Sequence, residues 1–180
     1  MRIANIRISA LVEHVKSIEN KLNDKPPLIT VSDAKFHTFE EGSAVISVEL
    51  RELLANIAKQ LYALRDRYQA NVVEIIGHTD EVRFGSTKRQ CNLDDSLLEV
   101  LNGRKDTRAL LPCDNVGLGM ARATAVVDEL KRLGLGRDFV LLPLSSGAAI
   151  DTNETIASGS QMSTSLPARR RIEIRLRRGE

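Results

Sequence analysis

Residues 72–80 read VVEIIGHTD and contain the pattern that decides the fold. The first five residues are nearly all apolar, which is typical of a short strand that is buried on both faces of a sheet. The Gly-His-Thr-Asp sequence that follows ends the strand with turn-forming and polar residues. A strand buried on both faces needs other layers to cover it, so this stretch predicts an α/β domain.

The rest of the chain supplies helices and strands around this central strand. Apolar residues recur at helical spacing over 48–68 and 118–133, which predicts two amphipathic helices. Strands are predicted at 28–31, 139–144 and 171–177. The last strand alternates Ile or Leu with Arg or Glu, so one face is expected on the core and the other in water. The predicted fold is a two-layer α/β sandwich in which helices pack on a mixed four-stranded sheet.

An amphipathic helix is predicted ahead of this domain, in residues 1–25. Its apolar side chains follow the heptad spacing of a coiled coil: Ile8, Leu11, Val15, Ile18 and Leu22. Two prolines, at 26 and 27, end the helix because proline cannot continue it. The stripe either pairs with a second copy of the chain or packs on the domain at 26–180, and we favour the homodimer.

Composition narrows the classes of function. The formal net charge is only +2 and aromatic residues make up 3%. A nucleic-acid site in the arginine-rich segment 169–178 would therefore lack both a large charge excess and stacking side chains. No run of apolar residues reaches the length of a membrane span, and residues 1–23 are amphipathic rather than a signal peptide. The chain as given is expected to be soluble.

A long polar stretch at 81–116 separates the central strand from the second helix, with weak helical character around 93–101. It contains Cys91 and Cys113, and their number leaves a disulfide and two buried thiols equally open. Together with His78 and Asp80 they are also conceivable zinc ligands of a hydrolase. Their spacing matches no tight Cys-x-x-Cys or His-x-x-x-His pair, so this alternative is less favoured.

Four blocks in this sequence resemble the OmpA-like peptidoglycan-binding domains. They are FEEGSA at 39–44, IIGHTD at 75–80, NVGLGMARA at 115–123 and RRIEI at 170–174, in the order of that family. Together they cover roughly residues 36–178. One departure is Gly119, where the family has Ser. The resemblance implies an OmpA-like fold and a protein that binds the cell wall and is not an enzyme, with no cofactor and no metal.

The resemblance also implies a binding site for the diaminopimelate residue of the peptidoglycan stem peptide. Asp80 and Arg122 occupy the matching motif positions, and an acid and a guanidinium suit the ammonium and carboxylate of that zwitterion. Three further residues join the predicted site: Asn115, Thr79 and Arg170. Asn115 is expected to cap the helix or support the loop. His78 is expected to brace the pocket.

The insertion at about 83–113 makes the sequence resemble one subgroup of the OmpA-like domains more than the others. With the segments 114–123 and 140–145, it looks like the periplasmic part of MotB-type stator subunits, above all the B-subunit family of the Zorya anti-phage system. This likeness implies a periplasmic domain of a single-pass inner-membrane protein, with a homodimeric arrangement and a MotA-like membrane partner. The transmembrane segment is not in this chain. The implied function is anchoring of a proton-driven motor to the cell wall in anti-phage defence.

Two alternatives stay within the family: a general OmpA-type wall anchor, or a flagellar stator subunit with no defence role. The insertion also raises the question of whether the pocket is open, because Asp80 and Arg122 lie further apart in sequence than in ordinary members. An intramolecular disulfide between Cys91 and Cys113 is predicted to close the insertion.

Overall fold

A computed structural model of the chain describes residues 11–16, 25–36, 38–83, 91–159 and 165–179. Its named helices and strands, in chain order, are β1 (Ile29–Ser32), α1 (Val48–Tyr68), β2 (Val72–His78), α2 (Leu93–Leu101), α3 (Asn115–Arg132), β3 (Val140–Gly147) and β4 (Arg171–Arg177). Two short 3-10 turns, Thr107–Ala109 and Leu135–Arg137, follow α2 and α3. In the described part of the chain, no helix combines the length and apolar character needed to cross a membrane.

The strands form one mixed sheet in the order β1-β4-β2-β3. β4 runs antiparallel to both β1 and β2, and β3 runs parallel to β2. The parallel pair is joined through α3, as a crossover between parallel strands requires. The predicted fold class, a two-layer sandwich on a mixed four-stranded sheet, is therefore confirmed.

The core lies between the sheet and the helices α1 and α3. Its fully buried side chains are aliphatic, and they include Leu50, Leu54, Leu61, Val73, Ile75, Val126, Leu130, Ile172 and Ile174. α1 begins at the predicted residue because the Ser47 hydroxyl accepts a hydrogen bond from the Leu50 N–H at 3.0 Å. It ends where Gln69 takes a left-handed conformation.

α3 begins earlier than its apolar spacing predicted. The Asp114 side chain accepts a hydrogen bond from the Gly117 N–H at 2.7 Å, so Asp114 is the N-cap and Asn115 is the first helical residue. The expectation that Asn115 could cap the helix is therefore wrong. Asp114 takes that place because its backbone is extended at the point where the chain enters the helix.

The insertion is more ordered than its polar composition indicated. It contains α2, whose Val100 packs with Leu110 and with Ala121 of α3 in a small second core. A disulfide joins Cys91 and Cys113, as predicted, with their Cα atoms 5.5 Å apart. The disulfide thus closes the insertion on itself, and apolar packing against Ala121 attaches it to the domain.

The N-terminal helix prediction falls mostly on residues outside the described ones. Residues 11–16 are helical, and their side chains are exposed. Leu11 and Val15, two members of the apolar stripe, are 65% and 47% exposed. The dimerising role of the stripe stays a prediction.

Candidate functional site

Two glycines bring β2 and α3 into backbone contact and so place the site. A Cβ atom on Gly77 would lie 2.0 Å from the backbone oxygen of Gly119, far inside van der Waals distance. Asp80 follows Gly77 just beyond the end of β2, and Arg122 lies about one helical turn after Gly119. The close approach therefore carries Asp80 and Arg122 to the same end of the sheet. A Cβ atom on Gly119 would likewise lie 2.8 Å from the backbone oxygen of Gly77.

The Arg122 side chain is buried, at 2% exposure, beneath the turn that precedes α1. Its Nε donates a hydrogen bond to the backbone oxygen of Ser43 at 2.8 Å, and its Nη2 donates to that of Glu40 at 3.2 Å. The guanidinium carbon lies 5.0 Å from the centre of the Phe39 ring, which adds a cation–π contact. These contacts fix the direction of the guanidinium without neutralising its charge.

Burial lowers the pKa of Arg122 to about 10, and the nearby Asp33 and Asp80 carboxylates counteract this while Arg170 adds to it. Within the described residues, Arg122 forms no ion pair with a carboxylate, and its Nη1 donates no hydrogen bond. Arg122 is therefore a buried cation that no carboxylate of these residues contacts directly, which is unfavourable even with Asp33 and Asp80 nearby. The arrangement therefore suits an external carboxylate.

The Asp80 carboxylate is held by one of its two oxygens. Oδ2 accepts hydrogen bonds from Arg170 Nη1 at 2.8 Å and from the backbone N–H of Leu166 at 3.2 Å. Oδ1 accepts none from the described part of the chain. Asp80 thus keeps one acceptor oxygen, and its carboxylate is near enough to interact electrostatically with Arg122.

Arg170 lies between two carboxylates and orients both. Besides Asp80, it donates from Nε to Asp33 Oδ2 at 2.9 Å. Asp33 Oδ1 in turn accepts from the Thr38 hydroxyl and from its backbone N–H at 3.1 Å. Burial acts to raise the pKa of Asp33, but the hydrogen bonds from Thr38 and Arg170 outweigh it and hold that pKa below its ordinary value. Sequence reasoning missed Asp33, because no local motif connects it to Arg170.

Two further predicted residues shape the backbone around Asp80. The Asn115 amide donates to the backbone oxygens of Asp80 at 3.3 Å and Val82 at 2.9 Å, so Asn115 supports the loop, as the second of its two expected roles. Thr79 is buried at 1% exposure, and its backbone N–H donates to the oxygen of Gly147 at 2.9 Å. The Thr79 hydroxyl has no partner within the described residues.

Behind the site, His78 is enclosed by polar side chains. Its Nδ1 lies 2.7 Å from the Ser146 hydroxyl, and its Nε2 lies 3.3 Å from Glu173 Oε1. Glu173 also accepts from Arg171 Nε at 2.9 Å and from Arg175 Nη2 at 2.7 Å. This network braces the end of β2, and the expected role of His78 in bracing the pocket stays a prediction.

The expectation that the charged face of β4 lies in water is wrong at one end of the strand. Arg171 and Glu173 are buried, while Arg175 remains about half exposed. The loop after β3 covers the buried end, and Arg171 Nη2 donates to the backbone oxygen of Asp151 in this loop at 3.2 Å. Alternation along a strand cannot reveal this cover, because it is formed by a distant segment.

The burial of Glu173 predicts a stability change in acid. The contact with His78, supported by hydrogen bonds from Arg175 and Arg171, lowers the pKa of Glu173 from 4.5 to about 2. Its ion pairs therefore stabilise the fold fully above about pH 4.5, and this contribution, roughly 3 kcal/mol, is lost as the pH falls towards 2. Urea unfolding of the parent and of Glu173→Gln from pH 7 to pH 2 measures it. The stability difference between the two should shrink below pH 4.5, and a constant difference would contradict the prediction.

Comparisons with known proteins bear on the fold. No protein-family model matches the sequence, and no curated protein sequence matches it. Among solved structures, the periplasmic domain of a MotB matches with a TM-score of 0.53 and 17% identity, over 87% of this chain and 66% of that one. The periplasmic domain of Helicobacter pylori MotB matches with a TM-score of 0.54 and 17% identity, over 87% of this chain and 79% of that one.

A MotB-like protein from Desulfovibrio vulgaris matches with a TM-score of 0.50 and 17% identity, over 84% of this chain and 75% of that one. A sequence identity of 17% supports a conclusion about the fold alone, and all three matched structures have the same fold. Together with the strand order and the two helices on one face of the sheet, they define the architecture. The chain has the OmpA-like α/β fold of MotB periplasmic domains.

Proposed function

We propose that this domain binds peptidoglycan non-covalently, through the zwitterionic end of a diaminopimelate residue held between Asp80 and Arg122. The observation that carries the proposal is that no carboxylate in the described part of the chain contacts the buried Arg122, while the nearby Asp80 keeps one free oxygen. The ligand carboxylate would pair with Arg122 Nη1, and its ammonium would donate to Asp80 Oδ1. Both contacts are charge-assisted hydrogen bonds.

The surrounding residues have positioning roles in this proposal. Arg170 and Asp33 hold Asp80 Oδ2, so that Oδ1 faces the ligand, and Asn115 fixes the loop that follows Asp80. Binding requires no bond to be broken, so the proposed function is that of an anchor and not of an enzyme. The two cysteines are bonded to each other and therefore cannot ligate zinc as thiolates.

Co-sedimentation with insoluble diaminopimelate-type peptidoglycan tests the proposal. The parent should pellet with the wall material. Asp80→Asn and Arg122→Gln should each weaken binding by about five- to a hundredfold, because each leaves one ligand charge without a partner in a partly buried site. Circular dichroism of each variant verifies that the fold is retained.

Two matched substitutions serve as controls. Asp66→Asn and Arg137→Gln remove the same charges from exposed positions at the opposite end of the sheet, where β2 and β3 begin. Both should sediment like the parent. A parent that stays in solution overturns the wall-binding proposal. A parent that pellets together with folded Asp80→Asn and Arg122→Gln overturns the pocket.

A finer proposal concerns the assembly. We infer that the domain is the periplasmic part of a single-pass, MotB-like stator subunit of the Zorya type, homodimeric and paired with a MotA-like membrane subunit, which anchors a proton-driven motor to the wall in anti-phage defence. The support is the resemblance of 114–123 and of the disulfide-closed insertion to that family, together with the fold.

Phage-plating assays test the defence role. In cells that carry the full-length protein with its membrane partner, Asp80→Asn should reduce protection against phage and leave swimming motility unchanged. Loss of motility with intact phage protection would instead identify a flagellar stator subunit. No effect on either would favour a general OmpA-type wall anchor.

A further inference from the structure

A groove lies beside the turn that covers Arg122. It has a volume of about 410 Å³, and its two walls are the turn at 42–45 and the insertion segment 107–112. The described insertion residues therefore do not close over the groove but form one side of it. This wall belongs to the part of the chain that lengthens the separation between Asp80 and Arg122.

The walls of the groove are mainly apolar, and the arginine among its lining residues, Arg108, is paired with an acid. Val45 on one wall and Leu111 on the other are 56% and 49% exposed, so both present apolar surface to solvent. Arg108, at the rim, is neutralised by Asp106 through two hydrogen bonds of 2.9 and 3.0 Å. The groove thus suits small apolar groups, such as methyl groups, on a short chain.

The groove and the charged pocket share one residue. Ser43 lines the groove, and its backbone oxygen is the acceptor for Arg122 Nε at 2.8 Å. The turn that covers Arg122 is therefore also the first wall of the groove. The proposed charged end belongs to a peptide, and its neighbouring residues need a path across this surface.

The second wall is held rigidly in place. The Asn92 side chain donates to the backbone oxygen of Ala109 at 2.8 Å and accepts from the backbone N–H of Leu111 at 2.7 Å. The disulfide fixes Cys113 to Cys91, next to Asn92. A preformed wall needs little ordering when a ligand binds, which favours affinity.

We propose that this groove binds the part of the stem peptide next to diaminopimelate, with an alanine methyl group against Val45 and Leu111. This inference rests on the proposed function. The insertion then extends the binding site from a single amino acid to a peptide. Free diaminopimelate uses only Asp80 and Arg122, whereas the stem peptide also uses the groove.

Titration calorimetry with two ligands tests the groove. The 180-residue protein is titrated with free meso-diaminopimelate and with the tetrapeptide L-Ala-γ-D-Glu-meso-diaminopimelate-D-Ala. Leu111→Asp and Val45→Asp should each weaken binding of the tetrapeptide by on the order of tenfold, because the apolar contact is lost. Binding of free diaminopimelate should stay unchanged in both variants.

The control is Leu98→Asp, which places the same charge on an exposed leucine of α2 that does not line the groove. It should bind both ligands like the parent. Unchanged tetrapeptide binding by Leu111→Asp and Val45→Asp overturns the groove and leaves the Asp80–Arg122 pocket intact. Failure of the parent to bind free diaminopimelate overturns the proposed function and the groove with it.

Discussion

Gly77→Ala should lower the free energy of unfolding by about 3 kcal/mol or more, because a methyl group at this position has no space. Its Cβ would lie 2.0 Å from the oxygen, 2.7 Å from the carbon and 2.9 Å from the Cα atom of Gly119. All three are backbone atoms of α3, so the clash cannot be relieved by turning a side chain. Either α3 moves away from β2 or the contact between them is lost.

The same substitution should impair ligand binding in the molecules that remain folded. Displacing α3 moves Arg122 relative to Asp80, and a two-charge pocket depends on the distance between its charges. Urea unfolding and peptidoglycan co-sedimentation measure the two effects. Gly136→Ala is the control, since its nearest atom is the flexible Lys131 side chain at 3.3 Å. Equal stability of Gly77→Ala and Gly136→Ala would show that β2 and α3 are not in backbone contact.

Removing the disulfide should lower the free energy of unfolding by about 3 kcal/mol. Cys91 and Cys113 are separated by 22 residues, and a cross-link across a loop of this length restricts the unfolded chain by about that amount. The comparison is between the oxidised parent, the reduced parent and the double variant Cys91→Ser/Cys113→Ser. The reduced parent and the double variant should have the same lower stability, and reductant should not affect the double variant.

Loss of the disulfide should also separate the two parts of the binding site. The groove wall at 107–112 ends next to Cys113, whereas Asp80 and Arg122 are held by β2 and α3. Reduction should therefore weaken binding of the tetrapeptide more than binding of free diaminopimelate. Two reactive thiols in unreduced, denatured protein would show that the bond is absent.

Apolar periodicity was sufficient to predict the main helices and strands. The predicted bounds of α1 and β4 equal the observed ones. The predicted fold class, an α/β sandwich, is also the observed one. The start of α3 was placed late because the capping Asp114 and the first turn carry no apolar stripe. The helix α2 was only weakly indicated, because an insertion helix packs through few residues, such as Val100, on a small second core.

The two charges proposed to bind the ligand were also identified from the sequence, since Asp80 and Arg122 stand in recognisable motifs. The side chains that surround Asp80 and Arg122 could not be identified from the sequence. Asp33 holds Arg170, and Arg170 holds Asp80, through contacts between segments that are far apart in the chain. The same is true of the buried Arg171 and Glu173, which alternation had placed in water.

The sequence by itself determined the helices, the strands and the motif residues at the end of β2, because periodicity and capping act between residues within a few positions of each other. Only the tertiary structure decided that Arg122 is buried without a carboxylate partner and that Asp80 keeps one free oxygen. It also decided that the insertion forms the wall of a groove. Burial and ion pairing depend on which distant segments meet, and the contact of Gly77 with Gly119 brings those segments together.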